Sequence, residues 1–418
     1  MFNKSTHIRL LIIPIFILIF SAACTLKRPV QKGPGFPESL IPDGIGVNIH
    51  FTGAPSKDIE LMKDANIKLI RADLTWTSVE KKKQEYDFTR YDQLIDTLEK
   101  QGTRILFILD YSNKLYGTEK SIKTEKQRNG FASFAAEAAK RYKERRVIWE
   151  IWNEPNFPRF WGEEPNVDDY MALVEVTCNA IRKADPNSII VAPALLGCAA
   201  VGFIKKCAER GLFEVVDGVS VHPYGEGGPE WVLDCYRDLR LLIDEYTPKG
   251  KTKPRILSSE WGWGLKYLDM DVVGKEGAEL KQAAYLTRRF CSEALAGVAC
   301  GIYYKWRENN HGLIRNNHSL KPSYTAFKVL NEQLTGFCDE VSRLDVSGKD
   351  KDFVIIFKGK AGKQLVAWCT EGTDSITIPF KGKKAKGVDF LGKPIEFEVK
   401  NNILNIELTE QPVFLRME

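Results

Sequence analysis

Histidine is scarce in this chain of 418 residues, with five in all. Only His50 and His222 stand at the ends of candidate strands, too few for the grouped ligand sets of a metal-dependent hydrolase. Cysteine is present, but no pair has CxxC spacing and none lies beside a histidine cluster, so a zinc site is not expected. In an exported protein Cys198 with Cys207, or Cys291 with Cys300, are candidate pairs; buried free thiols account for them equally well. There is no long block of Lys and Arg, and a formal net charge of +5 gives no argument for nucleic acid. Lys81-Lys82-Lys83 reads as a solvated helix start. Nor does any apolar run reach the roughly 20 residues of a membrane span. The longest, Leu10 to Phe20, is interrupted by Pro14.

That short run follows Lys4 and Arg9 and precedes Ser21-Ala22-Ala23-Cys24, which makes residues 1–24 an export signal. Small residues before Cys24 resemble a bacterial lipoprotein cleavage site, with Cys24 as the lipidated first residue. The expected location is the outer membrane, the cell surface or the periplasm, with membrane contact only through that anchor. Residues 25–42, rich in proline and glycine, read as a tether.

Beyond the tether the composition is globular and long enough for one large domain and a smaller one. Across residues 43–335, short apolar runs alternate with amphipathic stretches, the pattern of repeated βα units. The runs are Gly46 to Phe51, Lys68 to Asp73, Arg104 to Asp110, Val147 to Asn153, Ser188 to Pro193, Gly218 to His222, Arg255 to Glu260 and Gly301 to Trp306. Helices are expected at Tyr91 to Gln101, Phe131 to Tyr142, Tyr170 to Ala184 and Lys281 to Ala296. Together these predict an α/β fold, a (β/α)8 TIM barrel. After residue 336 short alternating strands separated by Gly, Lys and Asp turns predict a small all-β, sandwich-like domain at 336–418. Its single tryptophan, Trp368, sits in an apolar run and reads as core, so the domain is expected to be structural.

In such a barrel the carboxyl ends of the strands build the active site. Val147-Ile148-Trp149-Glu150-Ile151-Trp152 ends in Asn153-Glu154-Pro155, where proline stops the ladder and leaves a carboxylate at the mouth. Arg255 to Glu260 is the second apolar strand that ends in glutamate. The other ends supply His50, Arg71 with Asp73, Asp110 with Tyr111 and Asn113, His222 with Tyr224, Trp261 and Trp306, an enrichment in polar and aromatic groups that argues for a pocket. Strands four and seven face each other, and two opposed glutamates are what a retaining glycosidase requires: one attacks as a carboxylate while the other donates and then accepts a proton. A carboxylate beside a second carboxyl raises that partner's pKa, so both protonation states coexist.

These residues resemble the clan A retaining glycoside hydrolases. Trp152-Asn153-Glu154-Pro155 is similar to their acid/base motif and Ser259-Glu260-Trp261-Gly262 to their nucleophile motif. Ile70-Arg71-Ala72-Asp73-Leu74-Thr75-Trp76 with Val79-Glu80, Tyr86-Asp87-Phe88, Tyr91-Asp92 and His222-Pro223-Tyr224 resembles family 39, with its β-xylosidase-like and exopolysaccharide-cleaving members. The resemblance implies Glu154 as acid/base, Glu260 as nucleophile, Asn153 on the sugar 2-hydroxyl, and Arg71 beneath Glu260 keeping it ionised. It further implies that His222 and Tyr224 tune that carboxylate or hold the sugar. His50, Trp76, Trp261 and Trp306 are the remaining expected sugar contacts, since sugar rings stack on aromatic faces; Trp152, Trp161 and Trp263 belong to the same aromatic surplus, with core packing as the alternative for each. A carbohydrate substrate, no cofactor, no metal and a monomer are expected. The competing reading is a catalytically silent, carbohydrate-binding surface lipoprotein. The Gly-rich loops Gly225 to Gly228 and Gly262 to Gly277 would set whether the site is a pocket or a groove.

Overall fold

The computed structural model describes residues 35–162, 164–197, 201–381 and 384–417. The expected signal, Cys24 and most of the tether therefore lie outside the described residues. Eight parallel strands close into a barrel: β1 (Ile45–Asn48), β2 (Leu69–Thr75), β3 (Arg104–Asp110), β4 (Val147–Ile151), β5 (Ile189–Leu196), β6 (Gly218–His222), β7 (Arg255–Trp261) and β8 (Cys300–Tyr303). Closure comes from β8 pairing with β1, Ile45 opposite Gly301. Each strand is followed by a helix: α1 (Ser56–Asp64), α2 (Thr89–Lys100), α3 (Glu125–Arg141), α4 (Val167–Ala184), α5 (Val201–Ala208), α6 (Val232–Tyr246), α7 (Met270–Ala296) and α8 (Pro322–Leu334). Local chemistry sets their starts. Thr124 and Gln127 form a reciprocal capping box at α3, and the Asn166 side chain caps α4.

Inside the barrel, side chains alternate with the pleat and stack in layers. The amino-terminal end is an apolar plug of Leu69, Leu106, Ile148, Ile189, Leu257 and Cys300, closed from below by Phe36. Phe36, Leu40 and Ile41 are buried, so the tether ends before residue 36 and not at 42. Two residues further along β2 and β4 the same inward phase reaches Arg71 and Glu150, both fully buried, and a charged layer replaces the apolar one. On β7 the register against β8 slips by one residue between Ser258 and Trp261. This bulge reverses the inward phase. It turns Glu260 toward the mouth and Trp261 outward, onto Phe290 and Arg289 of α7.

The expected aromatic surface is largely absent from the mouth. Trp76 is buried, packs on Phe131 and Phe134, and donates Nε1 to Glu80 Oε2 at 2.6 Å. Trp306 is buried with Nε1 on Asp58 Oδ1 at 2.7 Å, and Trp261 is enclosed by Phe290, Tyr303 and Trp263. None of the three has a face free for a sugar. Trp152, Trp161 and Trp263 are buried as well. Cys207, Cys291 and Cys300 are free thiols, so neither expected disulfide forms. Cys235 is disulfide-bonded, and its partner lies outside the described residues. Lys81 to Lys83 are exposed on a short hairpin (Glu80–Lys82 with Glu85–Tyr86), not at a helix start.

The C-terminal region forms two antiparallel sheets: β9 (Glu340–Arg343), β10 (Asp352–Gly359), β11 (Gly362–Cys369), β12 (Thr373–Pro379), β13 (Ala385–Asp389), β14 (Pro394–Phe397), β15 (Val399–Lys400), β16 (Ile403–Thr409) and β17 (Val413–Met417), in orders β9-β10-β11-β17-β13-β14 and β12-β16-β15. Val354, Leu365, Ile376, Leu404 and Ile406 fill the space between them. The opposite face of the larger sheet, with Phe353, Phe357, Val366 and Trp368, joins the apolar cluster of the barrel. Trp368 donates Nε1 to Glu230 Oε1 at 2.8 Å, which fits its reading as core.

Candidate active site

Arg71 is the hub of the mouth. Its guanidinium, carried by β2, is buried and makes contacts in every direction its fork allows: Nε to Glu150 Oε2 at 2.6 Å, Nη1 to Glu260 Oε2 at 2.7 Å and Asn48 Oδ1 at 3.0 Å, and Nη2 to Asn153 Oδ1 at 2.8 Å. Nη2 also stands 3.1 Å from His222 Nε2. Five residues on or just after four other strands thus converge on one side chain, which only a planar five-donor group can serve. Burial works against its charge, but Glu150 and Glu260 outweigh burial and hold the guanidinium ionised.

Glu260 accepts from Arg71 on Oε2 and from the Tyr224 hydroxyl on Oε1 at 2.8 Å. Its side chain is 15% exposed, so it opens to the mouth while Arg71 beneath it does not. Burial alone would raise the carboxyl pKa. Arg71, through its charge and its bond, and the Tyr224 hydroxyl reverse that, and the net shift is downward. Tyr224 pairs in the opposite sense, its hydroxyl held well above the ordinary value by burial and by the Glu260 charge.

Glu154 follows the turn that ends β4, where both Trp152 (φ 68°) and Glu154 (φ 48°) take left-handed backbone. Residues with side chains of this size rarely do so outside constrained sites. The turn is held by the Glu154 N–H donating to Ala194 O at 3.0 Å, and the Ala194 N–H in turn donates to Ser220 Oγ at 2.9 Å. Glu154 Oε1 lies 2.8 Å from His222 Nδ1. An oxygen of Glu154, a ring nitrogen of His222 and an oxygen of Glu260 all lie within 4.8 Å of one another.

The expected residues thus divide. Glu154, Glu260, Asn153, Arg71, His222 and Tyr224 come together, although His222 bonds Glu154 and not Glu260. Asn153 spends its oxygen on Arg71, and its side chain also bonds Tyr111, so what it offers a ligand is an amide N–H donor and not the oxygen. His50 sits at the rim, half exposed, with Nδ1 3.7 Å from Asp73 Oδ2. Trp76, Trp261 and Trp306 stand away in the core. Reading the sequence missed Glu150, Asn48 and Tyr304. Glu150 had a signal: a charge in the middle of an apolar strand must be paired when buried. Tyr304, partly buried just beyond β8, packs edge-on to His50 at 5.5 Å, and its hydroxyl pKa is pushed up to about 12 by burial and by the charge of Glu260. It is the aromatic ring of this mouth, with Tyr111 stacked on Phe160 on the β3 and β4 side. The concavity of about 670 Å³ on the outer face of α2 and α3 is lined by closed pairs such as Arg141 with Asp92 and plays no part in this arrangement.

Comparison with known proteins agrees with this picture. Residues 43–225 match the model of the family described as cellulase (glycosyl hydrolase family 5). A β-xylosidase of Geobacillus stearothermophilus is 38% identical over 85 residues, which is 20% of this chain and 16% of that protein, so the match spans a minor part of the relative's length. A family 39 glycoside hydrolase from the gut symbiont Bacteroides cellulosilyticus WH2 superposes with a TM-score of 0.78 at 24% identity, over 92% of this chain and 83% of that one. A GH39 β-xylosidase from Caulobacter crescentus gives 0.64 at 17% identity, over 93% and 98%. At those identities the structural likeness speaks for the fold. The matching family model is of family 5, whereas the β-xylosidase relative and the family 39 structures are of the kind that the motifs resemble.

Proposed function

We propose that this protein is a retaining glycoside hydrolase that cleaves β-linked O-glycosidic bonds in an oligosaccharide or polysaccharide, exported and anchored through Cys24, and acting as a monomer. One observation carries the reading: oxygens of Glu154 and Glu260 lie within 4.8 Å across the mouth. Retaining enzymes hold their carboxyl groups about 5 to 5.5 Å apart, whereas inverting enzymes leave about 6.5 to 9.5 Å for a water.

The surroundings support a role for each. Glu260, held ionised by Arg71 and Tyr224, attacks the anomeric carbon as Glu154 gives its proton to the departing oxygen; a glycosyl ester on Glu260 results. In the second step Glu154 takes a proton from water, the water attacks the same carbon, and the ester bond breaks to restore the Glu260 carboxylate. The Asn153 amide faces the sugar 2-hydroxyl, a contact that strengthens as positive charge develops on the ring. Tyr304 supplies the ring against which the sugar stacks.

The test is a screen of the mature protein against aryl β-glycosides and polysaccharides, with the anomer of the first product followed by NMR. A β-product from a β-substrate is expected. An α-product, or saccharide binding with no turnover, would overturn the reading. Azide should rescue Glu154→Ala and yield a β-glycosyl azide.

A further inference from the structure

The His222 ring, fully buried at the end of β6, has both nitrogens engaged. Nε2 stands 3.1 Å from Arg71 Nη2, and Nδ1 stands 2.8 Å from Glu154 Oε1. The guanidinium has five N–H donors, no acceptor and no neutral form in a protein. A protonated Nε2 would therefore set two donors against each other at hydrogen-bond distance. Nε2 must present its lone pair to Arg71, and the single ring proton is left on Nδ1, pointing at Glu154. The other charged and titratable groups around this pair are Glu150 from β4, Glu260 from β7, Tyr224 beyond β6 and Tyr304 beyond β8. The first three bond Arg71 or each other, and none offers His222 an alternative acceptor for a proton on Nε2.

From this we infer that His222 is a positioning residue locked by Arg71 as the neutral Nδ1–H tautomer, and that it decides which oxygen of Glu154 handles the proton. Because Nδ1–H donates to Oε1 whether Glu154 is neutral or ionised, Oε1 is committed as an acceptor and the proton sits on Oε2. Delivery to the leaving oxygen and recovery from water both pass through that one atom. The consequence for the cycle rests on Glu154 being the proton donor proposed above; the tautomer does not. The same guanidinium that orients the nucleophile through Nη1 thereby orients the acid through His222 and Nη2.

The experiment has two arms. In the mature full-length protein labelled with 15N-histidine, long-range 1H–15N correlation reports the tautomer directly, with His222→Asn assigning the signal among the four histidines that follow Cys24. A protonated Nδ1 and bare Nε2, unchanged between about pH 5 and 8, is expected. An imidazolium or an Nε2–H ring overturns the lock. The second arm uses an aryl glycoside that the protein hydrolyses. Asparagine at 222 can put an amide N–H where Nδ1–H stood; glutamine reaches Arg71 but withdraws the donor from Glu154. His222→Gln should move the alkaline limb of kcat/KM upward by about one pH unit, because ionised Glu154 loses a bond. It should cost about 10²-fold with a poor leaving group and under about tenfold with dinitrophenolate, which needs no acid. His222→Asn should keep the limb near its original position. Equal losses on both leaving groups with unmoved limbs in both variants would make His222 a packing residue and sink the inference. A locked tautomer in a wild-type protein with no turnover would instead count against the glycosidase reading alone.

Discussion

Two buried arginines in this barrel invite comparison. Arg71 lies inside the mouth with Glu150, Glu260, Asn48, Asn153 and His222; Arg289, on α7, lies outside the β-sheet with Glu293, Tyr236 and Ser258. Both are fully buried and ion-paired. The difference is where the network ends. Every partner of Arg289 is sealed from solvent, whereas the Arg71 network terminates in a carboxylate open to the mouth. A buried ion pair alone is therefore a poor sign of function. A buried pair that hands one oriented, ionised group to solvent is a much better one.

The comparison breaks most sharply at the open end. Glu260→Gln should lower kcat by at least about 10⁴-fold while leaving the melting temperature within a few degrees, since it removes the attacking oxygen and little packing; hydrolysis near the wild-type rate would refute its role. Arg71→Lys should cost about 10²-fold or more in kcat together with measurable stability, because a point charge cannot serve the fork's several acceptors and leaves Glu150 poorly paired. At the sealed end the reverse is expected. Glu293→Gln should destabilise by about 3 kcal/mol or more by urea unfolding, leaving Arg289 charged and underpaired, while kcat per folded molecule stays within about twofold. Loss of turnover in soluble, folded Glu293→Gln would erase the distinction. Tyr224→Phe is a milder probe. It should lower kcat about tenfold and move the acid limb of the pH profile upward, since the Glu260 carboxylate loses a donor.

The smallest effect concerns Asp110, buried at the end of β3 beside Asp73 and Thr75. Burial, and then the charge of Asp73, push its carboxyl well above the ordinary aspartate value. A raised folded-state pKa means the native state holds the proton more tightly. Its stabilising contribution is present below the unfolded-state value of about 4 and is lost as pH rises toward the folded value. Asp110→Asn should therefore flatten the decline in unfolding free energy above about pH 4, read as a smaller difference between urea midpoints at acid and neutral pH. An unchanged slope would place the titration elsewhere.

The strand pattern was legible because each strand is an apolar run, most with a polar residue at or just beyond its end, and the boundaries differ from expectation by a few residues only. What could not be read was phase. The β7 bulge inserts one residue between Ser258 and Trp261, and with it the choice of whether Glu260 or its neighbours face inward. Nothing in Ser258-Ser259-Glu260-Trp261 announces that slip. The tryptophans were misassigned for a related reason: Trp306 lies two residues from Tyr304 in sequence, and only the backbone path decides that Tyr304 stands beside His50 while Trp306 turns to Asp58. Pairings between distant elements, such as Nδ1 of His222 with Glu154, were equally out of reach. The residues themselves were found from their type and their place at strand ends.

Glu230 has a consequence of its own. Its carboxylate receives Arg288 from α7 through two bonds, at 2.7 and 2.8 Å, and the Trp368 indole from β11. Phe353, Phe357 and Phe414 beside it share one apolar cluster with the barrel. Cutting the chain near residue 336 would thus bare a wall of aromatic surface and strip a charged pair of its cover. The barrel and the sheets behind it should melt in one cooperative transition, and the catalytic half should not survive as a transplantable module.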